Sequence, residues 1–248
     1  MKAVLVAAVG VWPPLGPDAT AAPAAPPAEL LPSRLRRGTS MLTRLFAEGV
    51  AQVAAQSGAD LASVATVYGS ANGEIETAIA QLQMMHGDGV LSPARFKSSV
   101  HNTASGLVSI AAGNRAFSTA LAAGERTAAM CLLEAIVLID RGATDVIVAL
   151  ADEPLPAPLP GAPRYAPLGV AFHLRAETPP NGRALAALRG LRVDATAPAA
   201  TLAEPLGNNP VAAALPLVDA IRQGRRGTVV LERGGAGTSR WCIEVVDP

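Results

Sequence analysis

The sequence predicts an α/β domain, on three observations. Between positions 39 and 150, segments with helical spacing of apolar residues alternate with short β-branched runs. One of those runs, Asp145-Val146-Ile147-Val148-Ala149-Leu150, lacks the polar alternation of a half-exposed strand, as central parallel strands do. The helix predicted ahead of it, Arg126 to Asp140, is apolar on every face apart from Glu134. Such a helix must lie between layers or under a partner.

The elements follow in order. Val4 to Trp12 reads as a buried first strand, and the seven prolines from Pro13 to Pro32 as an extended connection. Thr39 to Gln56 carries Leu42, Leu45, Phe46, Val50 and Val53 at helical spacing. Val64 to Tyr68 is a strand ending at Gly69, Ile75 to Met85 a helix, and Asn102 to Ala112 a small-residue helix stopped by Gly113. Phe117 to Leu121 is strand-like and leads into the apolar helix. After a second proline-rich stretch, Pro154 to Pro167, the strands Val170 to Glu177 and Leu191 to Thr196 are predicted. A helix over Val211 to Gln223, interrupted by Pro216, precedes a closing hairpin of Thr228 to Glu232 and Arg240 to Val246 around Gly234 to Gly237. No helix follows that glycine run, so it is not a phosphate loop.

Composition removes several functions. With 20 basic and 20 acidic side chains and only 3% aromatic residues, the chain offers no electrostatic or stacking surface for nucleic acid. Cys131 and Cys242 sit in apolar contexts without metal-ligand spacing, and His86, His101 and His173 are scattered, so no metal site is expected. The pair reads as buried free thiols in a reducing compartment. Lys2 and the apolar run after it imitate a secretory leader, but the run is too short to span a membrane and a buried strand explains it as well. A cytoplasmic protein is the expectation.

Chemistry concentrates between Leu91 and Pro156. Here stand Leu91-Ser92-Pro93, Ser99-Val100-His101-Asn102, Ser118-Thr119-Ala120, Ala122-Ala123-Gly124-Glu125 and Ala151 to Pro156, in order. This series resembles the N-terminal half of β-ketoacyl synthases. More narrowly, it resembles the short chain length factors of aryl polyene and related pigment clusters. The resemblance implies a thiolase-like α/β fold of layered sheet and helices. Residues 1–156 would form the ketosynthase-like core, with 157–248 closing the same domain. It also implies a β-ketoacyl-ACP synthase as heterodimeric partner, an acyl carrier protein, no cofactor, and a role in the acyl tunnel across the shared interface.

The same resemblance marks two departures. The family carries a nucleophilic cysteine in the turn before the buried helix, where a helix N-terminus lowers a thiol's pKa and stabilises an oxyanion. Counting back from the Asp145 strand puts Glu125 at that position, and counting from Ser118 puts Leu121 there; neither is a thiol. The family's two catalytic histidines belong to a second half that is not expected here. No condensing activity of the chain alone is therefore expected.

The remaining candidates have plain alternatives. Glu125 reads first as a helix-start carboxylate. His101 and Asn102 read as cap or hydrogen-bonded core residues rather than an acid-base pair. With Ser118, Gly124 and Glu125 they are the candidates for a substrate or interface role. Arg36-Arg37 could meet an acidic carrier but more commonly would be solvated. Asp152-Glu153, ahead of Pro154, is placed in a loop, which speaks against paired-carboxylate hydrolysis.

Overall fold

The β-branched runs assemble into one eight-stranded sheet of order β3-β2-β4-β5-β1-β6-β8-β7 in the computed structural model, which describes residues 2–13, 25–87, 89–157, 159, 165–178, 183–197, 206–232 and 239–248. The strands are β1 (Val4–Trp12), β2 (Ala65–Gly69), β3 (Ser118–Leu121), β4 (Asp145–Asp152), β5 (Leu168–Arg175), β6 (Ala186–Asp194), β7 (Gly227–Val230) and β8 (Arg240–Val246). β3, β2 and β4 are parallel, with Val67 opposite Thr119 on one side and Val148 on the other. Every other neighbouring pair is antiparallel. The polar-free sequence of β4 is explained by its place: it lies inside the sheet, and Val146 to Asp152 are all buried.

Helices cover both faces. On one lie α2 (Met41–Ser57) and α5 (Thr103–Ala112), with Leu42, Leu45, Phe46, Val50, Ala104 and Val108 packed on Tyr68, Ile147 and Ala171. On the other lie α6 (Thr127–Asp140) and α7 (Leu215–Arg222), with Ala128, Leu132, Ile136 and Val218 packed on Val67, Val148 and Phe172. Three short or outlying helices, α1 (Ser33–Arg36), α3 (Ile75–Gly87) and α4 (Pro93–Phe96), lie beside the α2 layer. Gly69 lets α6 approach β2: a Cβ there would stand 2.5 Å from Cys131 Sγ and 2.7 Å from Leu150 Cδ2.

Several sequence expectations need correction. The α6 helix begins at Thr127, after a 3-10 turn at Gly124–Arg126, and it is not buried all round: Met130, Leu133 and Val137 to Ile139 are half-buried. Pro216 does not interrupt a helix. A 3-10 turn, Pro210–Ala214, comes first, and Pro216 then lies in the opening turn of α7, where its missing N–H costs nothing. β6 begins at Ala186, five residues before the expected strand, because partners on both sides override the weak strand preference of Ala186-Ala187. Asp152 closes β4 rather than lying in a loop. Gly234 to Gly237, most of the first proline-rich stretch and part of the second lie outside the described residues.

Candidate functional site

The turn between β3 and α6 is built around one threonine. Thr127 Oγ1 accepts from Ala123 N at 3.0 Å and donates to Gly124 O at 2.8 Å, while Gly124 takes φ +55°. This folds the chain sharply from strand to helix and leaves Glu125 exposed at the helix mouth. Arg126 Nε lies 3.0 Å from Glu232 Oε1, tying the turn to the segment just after β7. Cys131 is on the second turn of α6, against Gly69, and burial together with Glu134 pushes its thiol up to about 12. It is a core residue without nucleophilic character at neutral pH.

His101, Asn102 and Ser118 come together in an open cleft of about 580 Å³ between α5 and β3, with Ser105, Ser109 and Thr119. Gly124 and Glu125 do not line it. The ring of His101 lies over Gly73, and its Nε2 is 3.0 Å from Ser70 O. Asn102 is the N-cap residue of α5 but its side chain makes no capping bond. Ser118 Oγ accepts from Thr66 Oγ1 at 2.9 Å. The His101–Asn102 pair is thus held by structure on one side and open on the other.

Where β2 and β4 end, three buried carboxyls meet. Asp152 accepts from Ser70 Oγ, Ala71 N and Asn72 N at 2.7 to 3.1 Å, which holds the loop after β2. Glu153 accepts from Leu42 N at 3.1 Å and Glu76 N at 3.4 Å, bridging the first turns of α2 and α3. Glu74 accepts from Thr43 Oγ1 at 2.7 Å. Burial pushes Asp152 up to about 6, and burial with neighbouring Glu74 pushes Glu153 up to about 7. Burial raises Glu74 too. The only sequence signal was an apolar strand running without a break into two acids. Glu74 also lines a second cleft, of about 690 Å³, with Arg34, Arg37, Arg95 and Lys97.

A Ser–His–Asp series lies at the opposite end of β4. His173 is fully buried, with Nδ1 2.8 Å from Ser57 Oγ and Nε2 3.0 Å from Asp145 Oδ2. Ser57 Oγ donates to Val53 O at 2.6 Å, so it can only accept from the imidazole. The arrangement pins α2 to the sheet and lines neither cleft.

Residues 12–230 match the sequence profile of the β-ketoacyl synthase N-terminal domain. The chain belongs to that family. The ketosynthase-like chain is also similar in fold to solved structures. One is a chain of the ketosynthase (ApeO) in complex with its chain length factor (ApeC) from Xenorhabdus doucetiae, with a TM-score of 0.69 and 22% identity over 98% of this chain and 100% of that one. A chain of AntDE:AntF, a type II PKS acyl-carrier protein in complex with its ketosynthase, gives a TM-score of 0.74 at 10% identity, with both chains fully covered. A β-ketoacyl synthase from Burkholderia phymatum gives 0.64 at 14% identity, over 79% of this chain and 65% of that one. No curated protein sequence matches it. In this ketosynthase-like chain the strand-to-helix turn is formed, yet it carries Glu125 and no cysteine. Among the described residues no cluster of three His, Cys, Asp or Glu is arranged for a metal ion, and no helix is long and apolar enough to cross a membrane.

Proposed function

We propose that this ketosynthase-like chain is a chain length factor. It does not condense acyl units itself, and it pairs with an active β-ketoacyl-ACP synthase in aryl polyene or related polyketide or fatty-acid-type synthesis in the cytoplasm. The observation that carries the reading is the surface around β3. β3 is the terminal strand of the sheet, with one edge unpaired among the described residues. Phe117, directly before it, is exposed, as are Ile110 on α5, Leu82 and Met85 on α3, Phe96 on α4 and Val100 between α4 and α5. An open strand edge flanked by large apolar side chains is a surface that a partner covers.

In this reading His101, Asn102 and Ser118 lie at the interface, and the cleft they line is closed by the ketosynthase. Gly124 and Glu125 keep the shape of the nucleophile turn without its chemistry. Residues 1–156 carry the ketosynthase-like core and 157–248 complete the same domain. The acyl chain is delivered to the ketosynthase by an acyl carrier protein, and this subunit limits the space into which it grows.

Co-expression with a pigment-type ketosynthase tests the pairing. A stable one-to-one complex is expected on size exclusion, burying on the order of 2,000 Å². Ser118→Asp should split it, because a carboxylate would be stranded at the edge of the shared sheet. A monomer that ignores every such ketosynthase would sink the proposal.

A further inference from the structure

The cleft between α5 and β3 has the wrong chemistry for a hydrocarbon. Six of its nine lining residues carry hydrogen-bonding side chains, and the other three are Gly106, Ala120 and Ala122. Ile110 and Phe117, each next in the chain to a lining residue, are exposed but do not line it. A group that enters must therefore bring hydrogen bonds of its own. Each polar wall atom stripped of water without a partner costs free energy.

One part of the wall is fixed in advance. The ring of His101 rests on Gly73, at φ +60°, where a Cβ would stand 2.7 Å from Cδ2. Nε2 is 3.0 Å from Ser70 O, a carbonyl that only accepts, so Nε2 carries a proton in either charge state of the ring. The loop bearing Ser70 is itself clamped. Buried Asp152 takes the Ser70 hydroxyl and the Ala71 and Asn72 N–H groups, and Ser70 Oγ takes Gly73 N. Nδ1, across the ring from Cδ2, makes no hydrogen bond among the described residues and is not sealed from solvent. Asn102 beside it is exposed, with a side chain that makes no capping bond. Two uncommitted polar groups on a rigid support, beside exposed apolar side chains, form a socket for a polar side chain.

We propose that this cleft takes a hydrogen-bonding side chain of the ketosynthase rather than the growing acyl chain. His101 Nδ1 is the contact that tells a matching ketosynthase from others. The inference rests on the chain-length-factor reading. When the partner covers the cleft, water leaves, and Nδ1 and the Asn102 amide must be matched from the other side. A ketosynthase with an apolar residue there leaves both unmatched and is rejected. The contact holds in either charge state of the imidazole, because Nδ1 accepts when bare and donates when protonated.

Two substitutions separate this contact from a structural role. In His101→Gln the amide reaches the Nε2 position and keeps the bond to Ser70 O, but no polar atom stands at Nδ1. In His101→Asn the shorter amide reaches the Nδ1 position and gives up Ser70. Pairing is read by sedimentation of the complex with a pigment-type ketosynthase over a dilution series. His101→Gln should weaken it about tenfold or more, and His101→Asn by about threefold or less. The reverse order marks a structural histidine and overturns the proposal. Ser109→Leu, which fills the cleft with hydrocarbon, should weaken pairing about tenfold. It decides the case if a His101 variant fails to fold by thermal melt. Unchanged pairing with shorter products from Ser109→Leu would make the cleft part of the acyl tunnel and overturn the proposal. A wild-type chain that pairs with no ketosynthase fails the underlying reading. A wild-type chain that pairs, while His101→Gln pairs equally well, fails this inference alone.

Discussion

At the scale of single residues, His173 joins a helix to the sheet. Its ring lies 2.8 Å from Ser57 Oγ at the end of α2 and 3.0 Å from Asp145 Oδ2 at the start of β4, while Ser57 Oγ donates to Val53 O. Hydrogen bonding from His173 holds the Asp145 carboxyl below the usual range, helped by Thr144 and Arg175. Asp145→Asn removes the carboxylate that His173 Nε2 bonds and that Arg175 faces. A loss of about 2 kcal/mol in urea unfolding at pH 7 is expected, below the usual figure for a broken buried pair because Asp145 keeps some solvent contact. The stability Asp145 confers is present above the ordinary aspartate range and is lost as pH falls through its lowered value. Asp152 and Glu153 act in the other direction. Their folded values, about 6 and about 7, lie above those of the unfolded chain, so the fold holds their protons more tightly. Stability should decline as pH rises from about 4 to about 7, and Glu153→Gln should flatten that slope in urea midpoints measured at half-unit steps. A midpoint that climbs over this window would contradict the burial of both acids.

At the scale of elements, close contact between α6 and the sheet makes the sharpest prediction. Gly69→Ala drives a methyl into Cys131 Sγ and Leu150 Cδ2 and should cost about 2 to 3 kcal/mol by chemical denaturation. Adding Cys131→Ala should recover part of the loss, since one of the two clashing groups is gone. The sequence displayed α6 and β4 clearly, because their apolar residues have a period and a length that nothing else explains. It showed β6 poorly, because Ala186-Ala187 becomes strand through pairing with β1 and β8 rather than through its own preference. Pro216 was misread for a positional reason: at a helix start it does no harm, and the start was not visible. Among candidate site residues, His101, Asn102 and Ser118 could be picked out by a string of motif residues. The Glu74–Asp152–Glu153 cluster could not, because Glu74 precedes the adjacent acids by 78 and 79 residues and only the sheet brings them together.

At the scale of the whole molecule, the missing thiol and the exposed apolar surface predict a protein that works in company. Purified alone, it should not condense acyl and malonyl units, and alkylating Cys131 should change nothing. It should also leave a malonyl-loaded carrier intact, with no carbon dioxide release above background and no difference on Glu125→Ala. A carboxylate at that turn would repel a developing enolate, so a clear Glu125-dependent signal would turn the assignment toward a decarboxylase. Expressed without a partner, the chain should self-associate, and Phe96→Asp/Ile110→Asp should restore a monomer in light scattering.

The two ends of the sheet are unlike, and that limits how large an assembly can grow. The β3 end is open and apolar. The β7 end is a four-residue strand that starts at a glycine, directly after Arg225 and Arg226, a short edge with charge beside it. Two β3 edges meeting across a twofold use each other up, and neither remaining end invites a third chain. A subunit with two sticky edges would polymerise into fibres; in the proposed pairing, this chain has one such edge to share and stops at a pair.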